Sequence, residues 1–195
     1  MPERVQKGQG TMRAFTFENA TKIYFGGGCV KEHLLEAVKP YGETVMLAYG
    51  GGSIKTNGIY QEVMDVLKLA GKQVIEFSGI MPNPTYSKVM EGKKVVQENQ
   101  VDLILAVGGG SVMDCSKAIS MAAATDKDVW EEYWIKKGEI DFEPVPVGVI
   151  VTVVGTGSEV NGEGVITHEE QKIKTSRNYP RCNPVFAMMD PKYTY

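Results

Sequence analysis

Apolar runs recur along the chain at residues 44–49, 73–77, 103–107, 145–154 and 185–189. Those at 44–49, 103–107 and 145–154 have the length and continuity of compact buried strands, and 73–77 and 185–189 read as further strands. Between them, residues 30–39, 59–69 and 85–99 read as helices. In the second of these, Val63, Val66, Leu67 and Ala70 fall at helical spacing, and Gly71 follows as a C-cap. Pro82-Asn83-Pro84 makes a rigid connection, and the region of Trp130, Tyr133 and Trp134 reads as an irregular helix. Residues 15–25 alternate aromatic and polar positions, which predicts a hairpin or two short strands whose edge is free to pair with another chain. Residues 164–167 and 171–175 read as paired strands around His168-Glu169-Glu170. Strands alternating with helices at these spacings predict an α/β fold: a Rossmann-like parallel sheet with helices on both faces.

The stretch 101–125 joins a strand, the turn Gly108-Gly109-Gly110 and a helix opened by Ser111. Glycines let the backbone approach a ligand closely, and the free N–H groups at a helix start favour an anion at the same spot. A tight connection without a ligand is the competing reading. A second glycine turn, Gly50 to Ser53, also closes an apolar strand, and a parallel sheet is able to bring two such turns to one rim. Gly26-Gly27-Gly28 reads as a plain linker into the first helix. The turn from Gly108 matches neither G-x-G-x-x-G, since Met113 stands where glycine is needed, nor a Walker A loop, and no serine here sits in G-x-S-x-G.

Composition narrows the classes. The formal net charge of -3 over 195 residues leaves no basic surplus to attract nucleic acid or acidic lipid. No apolar stretch reaches the roughly 20 residues of a membrane span. Cys29, Cys115 and Cys182 are odd in number and widely spaced, which argues against a disulfide framework and points to a reducing, cytoplasmic setting. Cys115 reads as buried filler. Residues 1–11 are polar and read as a flexible extension, ahead of one domain over 12–195.

His33 and His168 have no partner at metal-ligand spacing and read as surface residues. Asp114 and Lys117, one turn apart, form either an ordinary surface ion pair or, with Asp114 in the first turn, a group reaching into a cleft. Glu159 and Asn161 either cap a turn or bind. Gly50 to Lys55 lacks the acidic residue that usually accepts from an adenosine ribose 2′-OH, and offers small residues and a nearby cation.

Taken together, the run from Gly108 through Ser111, Asp114 and Lys117, the run Thr156-Gly157-Ser158-Glu159-Val160-Asn161, then Val165-Ile166-Thr167 and Asp190-Pro191 resemble the iron-containing (group III) alcohol dehydrogenases. The stretch from Tyr49 to Lys55 and Pro82-Asn83-Pro84 are similar to the branch of butanol dehydrogenases and NADPH-dependent aldehyde reductases. The resemblance runs from about Met12 to Tyr195. It implies a dehydroquinate synthase-like α/β nucleotide domain, and that the family's all-helical metal-holding domain is absent from this sequence. It further implies that Gly109, Gly110 and Ser111 hold the pyrophosphate and that Asp114 lies near the nicotinamide ribose. Asn83, Thr152, Thr156, Asn161 and Lys174 would belong to the cofactor cleft, and Gly51, Gly52 and Ser53 would receive the adenosine ribose.

The cofactor implied is NADP(H) in preference to NAD(H), and the substrate a small alcohol or aldehyde. A divalent iron or zinc is expected only with the helical domain. No catalytic residue and no metal ligand is assigned here, so the chain is expected to be inactive alone, and a homodimer is expected. The alternatives are a non-catalytic nucleotide-binding or assembly module, and an enzyme similar to dehydroquinate synthase or glycerol dehydrogenase.

Overall fold

The computed structural model describes residues 18–194. Its centre is a six-stranded, wholly parallel sheet in the order β1-β8-β5-β4-β2-β3, formed by β1 (Lys22–Phe25), β2 (Thr44–Tyr49), β3 (Gln73–Phe77), β4 (Leu103–Gly108), β5 (Val147–Val151) and β8 (Phe186–Met189). Every residue of β4 is buried, as its unbroken apolar run requires. Its side chains alternate between two cores. Ile104 and Ala106 join the core beneath α4 (Tyr86–Glu98) and α5 (Gly110–Ala123), whereas Leu103, Leu105 and Val107 join that beneath α1 (Cys29–Val38) and α3 (Ile59–Leu69).

Helix ends follow their local chemistry. Thr85 caps α4 by accepting from the Lys88 amide at 3.3 Å. Gly71, at φ +71°, closes α3 as expected: its amide reaches the Lys68 carbonyl and the Lys72 amide reaches that of Leu67. Residues 130–134 do form an irregular helix, the π-helical turn Trp130–Ile135. The paired strands predicted around His168 are β6 (Glu163–His168) and β7 (Ile173–Asn178), an antiparallel ribbon outside the main sheet.

Two expectations change. Residues 15–17 lie outside the described residues, and 22–25 form no hairpin: β1 pairs in parallel with β8, near the far end of the chain. Residues 18–21 are irregular, with the Thr21 amide donating to Asn19 Oδ1 and Asn19 Nδ2 donating to the Val160 carbonyl. The apolar run 145–154 is a strand only over β5, and Val153 and Val154 emerge into solvent past its end.

The sheet order reverses direction between β2 and β4. The chain leaves β2 toward the α3 face and β4 toward the α5 face, so the turns after these adjacent strands diverge and open a crevice at their carboxyl ends. In open α/β sheets this is where ligands bind.

Candidate cofactor cleft

A cleft of about 560 Å³ occupies that crevice, within the range of small-molecule sites. Its floor is formed by Gly50 and Gly51 after β2, and by Gly109, Gly110, Ser111 and Val112 after β4. Ile80, Pro82, Asn83 and Pro84 wall it on the β3 side, Val153 and Thr156 on the β5 side, and Asp114, Val165 and Lys174 at the ribbon. The β3 wall is pinned to the floor, because the amides of Gly79 and Ile80 donate to the carbonyls of Gly50 and Tyr49.

The turn at the head of α5 requires glycine for space. A Cβ on Gly110 would stand 2.7 Å from Thr156 Cγ2, and one on Gly108 would stand 2.5 Å from Val112 Cγ2. The Val112 and Met113 amides both donate to the Gly109 carbonyl, leaving the N–H groups of Gly110 and Ser111 at the helix start without an intrahelical acceptor. These two donors and the positive end of the helix dipole favour an anion. At the other turn a Cβ on Gly51 would meet nothing within 4 Å, so the backbone there is open to close approach.

Asp114 and Lys117 are not a surface ion pair. Lys117 is 2% exposed, and its ammonium donates to Ser158 Oγ at 2.8 Å, the Glu163 carbonyl at 2.9 Å and Asn161 Oδ1 at 3.4 Å. The Ser158 hydroxyl donates to Asp114 Oδ1 at 2.6 Å, and the Val165 amide to Asp114 Oδ2 at 3.2 Å. Burial raises the Asp114 carboxyl above the ordinary range, against the opposing pull of Ser158 and Lys117. Burial likewise lowers Lys117 to about 8, against the attraction of Asp114. The arrangement clamps the ribbon and the turn Ser158–Val160 onto α5, and so fixes one wall of the cleft.

Of the residues singled out in the sequence, Gly51, Asn83, Gly109, Gly110, Ser111, Asp114, Thr156 and Lys174 come together on the cleft. Lys174 Nζ donates to Asn83 Oδ1 across the mouth, where Asn83 adopts a left-handed φ of +56°. Gly52 and Ser53 continue the β2 turn beyond the lining. Thr152 follows directly on β5 outside the lining, its backbone amide donating to the Gly108 carbonyl at 3.0 Å. Asn161 turns inward, its Oδ1 accepting from the Glu163 amide at 2.9 Å as well as from Lys117. The bond to the Glu163 amide is a turn-capping contact.

Several features escaped the sequence. The apolar walls Ile80, Val153 and Val165 carry no motif. Lys55, the cation offered by the β2 turn, is paired at 3.0 Å with Glu76 of β3. His168 is not a plain surface residue: it packs against both Tyr86 and Trp130, with ring centroids 5.1 and 5.0 Å away. His33 is exposed and stacks on Tyr24. Cys115 is fully buried, and burial pushes its thiol up to about 12, as expected for inert filler. Among the described residues no group of three or more His, Cys, Asp or Glu is placed to hold a metal, and no helix is long and apolar enough to cross a membrane.

The comparisons with known proteins agree with this architecture. The family model for iron-containing alcohol dehydrogenase matches residues 20–191. A Bacillus subtilis protein named probable NADH-dependent butanol dehydrogenase 1 is 44% identical over 184 residues, which are 94% of this chain and 47% of the relative. The NADPH-dependent aldehyde reductase YqhD of Escherichia coli is 38% identical over 94% of this chain and 47% of its own length. The crystal structure of NADH-dependent butanol dehydrogenase A from Thermotoga maritima superposes with a TM-score of 0.87 at 39% identity, over 93% of this chain and 45% of that one. The chain thus spans about half the length of the relatives it matches. Matched over nearly all of its sequence and sharing the fold, it belongs to the iron-containing alcohol dehydrogenase family.

Proposed function

We propose that residues 12–195 form the cofactor half of a metal-dependent alcohol dehydrogenase or aldehyde reductase, binding a nicotinamide dinucleotide, with NADP(H) preferred over NAD(H). The observation that carries this reading is the pair of glycine turns at the carboxyl ends of adjacent strands β2 and β4, facing one cleft. In this reading the N–H groups of Gly110 and Ser111 donate to the pyrophosphate. The open backbone at Gly51 receives the adenosine ribose, with Gly52 and Ser53 beside it. Asp114 and Lys174 lie toward the nicotinamide ribose, with Val165 as an apolar neighbour on the ribbon side. The bound dinucleotide supplies the hydride exchanged with a small alcohol or aldehyde.

The preference for NADP(H) is supported by the absence of any acid within Gly50 to Lys55, since a carboxylate in that loop would repel a 2′-phosphate. The named relatives include users of either cofactor. The described residues offer no donor set that fits the family's metal, so no step passes through one here. On this reading the chain binds cofactor without turning over alcohol on its own. A homodimer is part of the proposal: β1 has no outer partner among the described residues, and Ile23 and Phe25 on it are exposed.

Titrating the protein with NADPH and NADH, followed by nicotinamide fluorescence, tests the reading. Saturable binding of both, tighter for NADPH, is expected. Tighter NADH binding would overturn the preference, and butanol oxidation by the chain alone would overturn the half-enzyme assignment.

A further inference from the structure

The β2 turn carries a charge arrangement that the cofactor reading leaves unused. Lys55 sits in the one-turn helix α2 (Ser53–Thr56), and its amide donates to the Gly52 carbonyl at 2.9 Å. Its ammonium lies 3.0 Å from Glu76 Oε2, and 4.5 and 5.2 Å from the ring centroids of Tyr60 and Tyr49. Glu76 reaches it from β3, where it pairs in register with Leu47 of β2. Both carboxylate oxygens are engaged: Tyr49 Oη donates to Oε2 at 2.5 Å and Tyr60 Oη to Oε1 at 2.7 Å. Hydrogen bonds from Tyr49, Tyr60 and Lys55 hold the carboxyl down to about 2, so it is charged at every physiological pH. The same contacts raise Lys55 above its ordinary value.

We infer that Glu76 is a specificity-determining residue, which holds Lys55 away from the adenosine end of the cleft and so moderates the preference for a dinucleotide carrying a 2′-phosphate. The inference rests on the dinucleotide reading above. In an open α/β sheet the pyrophosphate sits at the helix following one central strand, and the adenosine ribose falls at the end of the strand beside it. Here those strands are β4 and β2. Gly51 lines the cleft, and Lys55 stands four residues further along the same turn.

Two effects of Glu76 have the same sign. It occupies the one cation that the turn carries between Gly50 and Asn57, and on the dinucleotide reading its own charge would oppose a 2′-phosphate. The pair is open to solvent, with 46% of the Lys55 side chain and 41% of the Glu76 side chain exposed. Such a pair is weakly held, so a competing phosphate is able to draw the ammonium across. Lys55 is then a reserve cation, and the carboxylate sets how freely it is released.

The experiment compares dissociation constants of NADPH and NADH for the wild type, Glu76→Gln, Lys55→Met and the double variant, at low ionic strength. Glu76→Gln keeps an acceptor for the tyrosine hydroxyls and removes the charge. It is expected to raise the preference for NADPH over NADH by about three- to five-fold, the size of an exposed ion pair. Lys55→Met is expected to lower the preference below wild type and to shrink the effect of Glu76→Gln in the double variant. The enhanced preference should also fade as salt is added. An unchanged ratio in Glu76→Gln, or in Lys55→Met should the first variant not fold, overturns the inference alone. Failure of the wild type to bind either dinucleotide overturns the cofactor reading and this inference with it.

Discussion

Lys117 shows how a residue's surroundings reverse the meaning of its spacing. An acid and a lysine three apart on a helix read as a surface pair, and neither composition nor periodicity marks the pair as buried. The burial comes from the ribbon β6–β7, whose backbone lies 46 residues further on and whose Glu163 carbonyl accepts from the ammonium. Replacing Lys117 by Met would leave the Asp114 carboxylate buried without its counter-charge, at a cost of about 3 kcal/mol. The pH dependence has a definite sign. The folded lysine titrates near 8 against an ordinary value of 10.5, so between these pH values the unfolded chain holds a proton that the folded one has lost. Wild-type stability therefore rises relative to Lys117→Met as pH goes from about 8 to about 10.5. Urea unfolding of both proteins at pH 7.5 and at about pH 9.5 checks this, and a gap that narrows with rising pH would contradict it.

At the scale of elements, local signals were legible and distant partners were not. The strands β2 and β4 carry near-continuous apolar runs that end in glycine turns, so their bounds follow from the sequence; β3 is a half-exposed edge strand interrupted by Glu76. The glycine turns were legible because close backbone approach leaves its mark in consecutive residues. The alternation over 15–25 marks the short strand β1 but not its partner, because an edge strand's pattern says nothing of which strand it joins, and β8 lies some 160 residues away. Glu76 was invisible for a similar reason: it reaches Lys55 across 21 residues of chain.

The packing of α4 on α5 gives a test in which propensity and packing oppose each other. Gly92 is buried within α4, and a Cβ there would stand 2.3 Å from Ile119 Cδ1 and 2.6 Å from Cγ1, on a side chain with no exposure. Helix propensity favours Gly92→Ala by about 1 kcal/mol, whereas forcing a methyl into a filled core costs roughly 1–3 kcal/mol. The clash should prevail, giving a net loss of about 1 kcal/mol in urea unfolding. Adding Ile119→Ala should reverse part of the clash, so that the double variant is more stable than the sum of the two single changes predicts. Stabilisation by Gly92→Ala alone would show that the helices part easily.

For the whole molecule, the reversal of strand order between β2 and β4 does most to organise function. It splits the chain's path onto two faces, opens the crevice between them and sets two glycine turns on one rim. The ribbon then closes a side of that crevice through Asp114, Ser158 and Lys117, all held within hydrogen-bond distance. Everything proposed for the chain depends on a dinucleotide lying in this cleft with its pyrophosphate at the head of α5. The most direct test is a fluorescence titration with NADPH of the wild type beside Gly110→Val. The added side chain starts 2.7 Å from Thr156 Cγ2 and fills the cradle. Saturable binding by the wild type, weakened by at least about ten-fold in the variant while its far-ultraviolet circular dichroism is retained, is the predicted result. Equal binding by both proteins, or none by the wild type, would contradict the account.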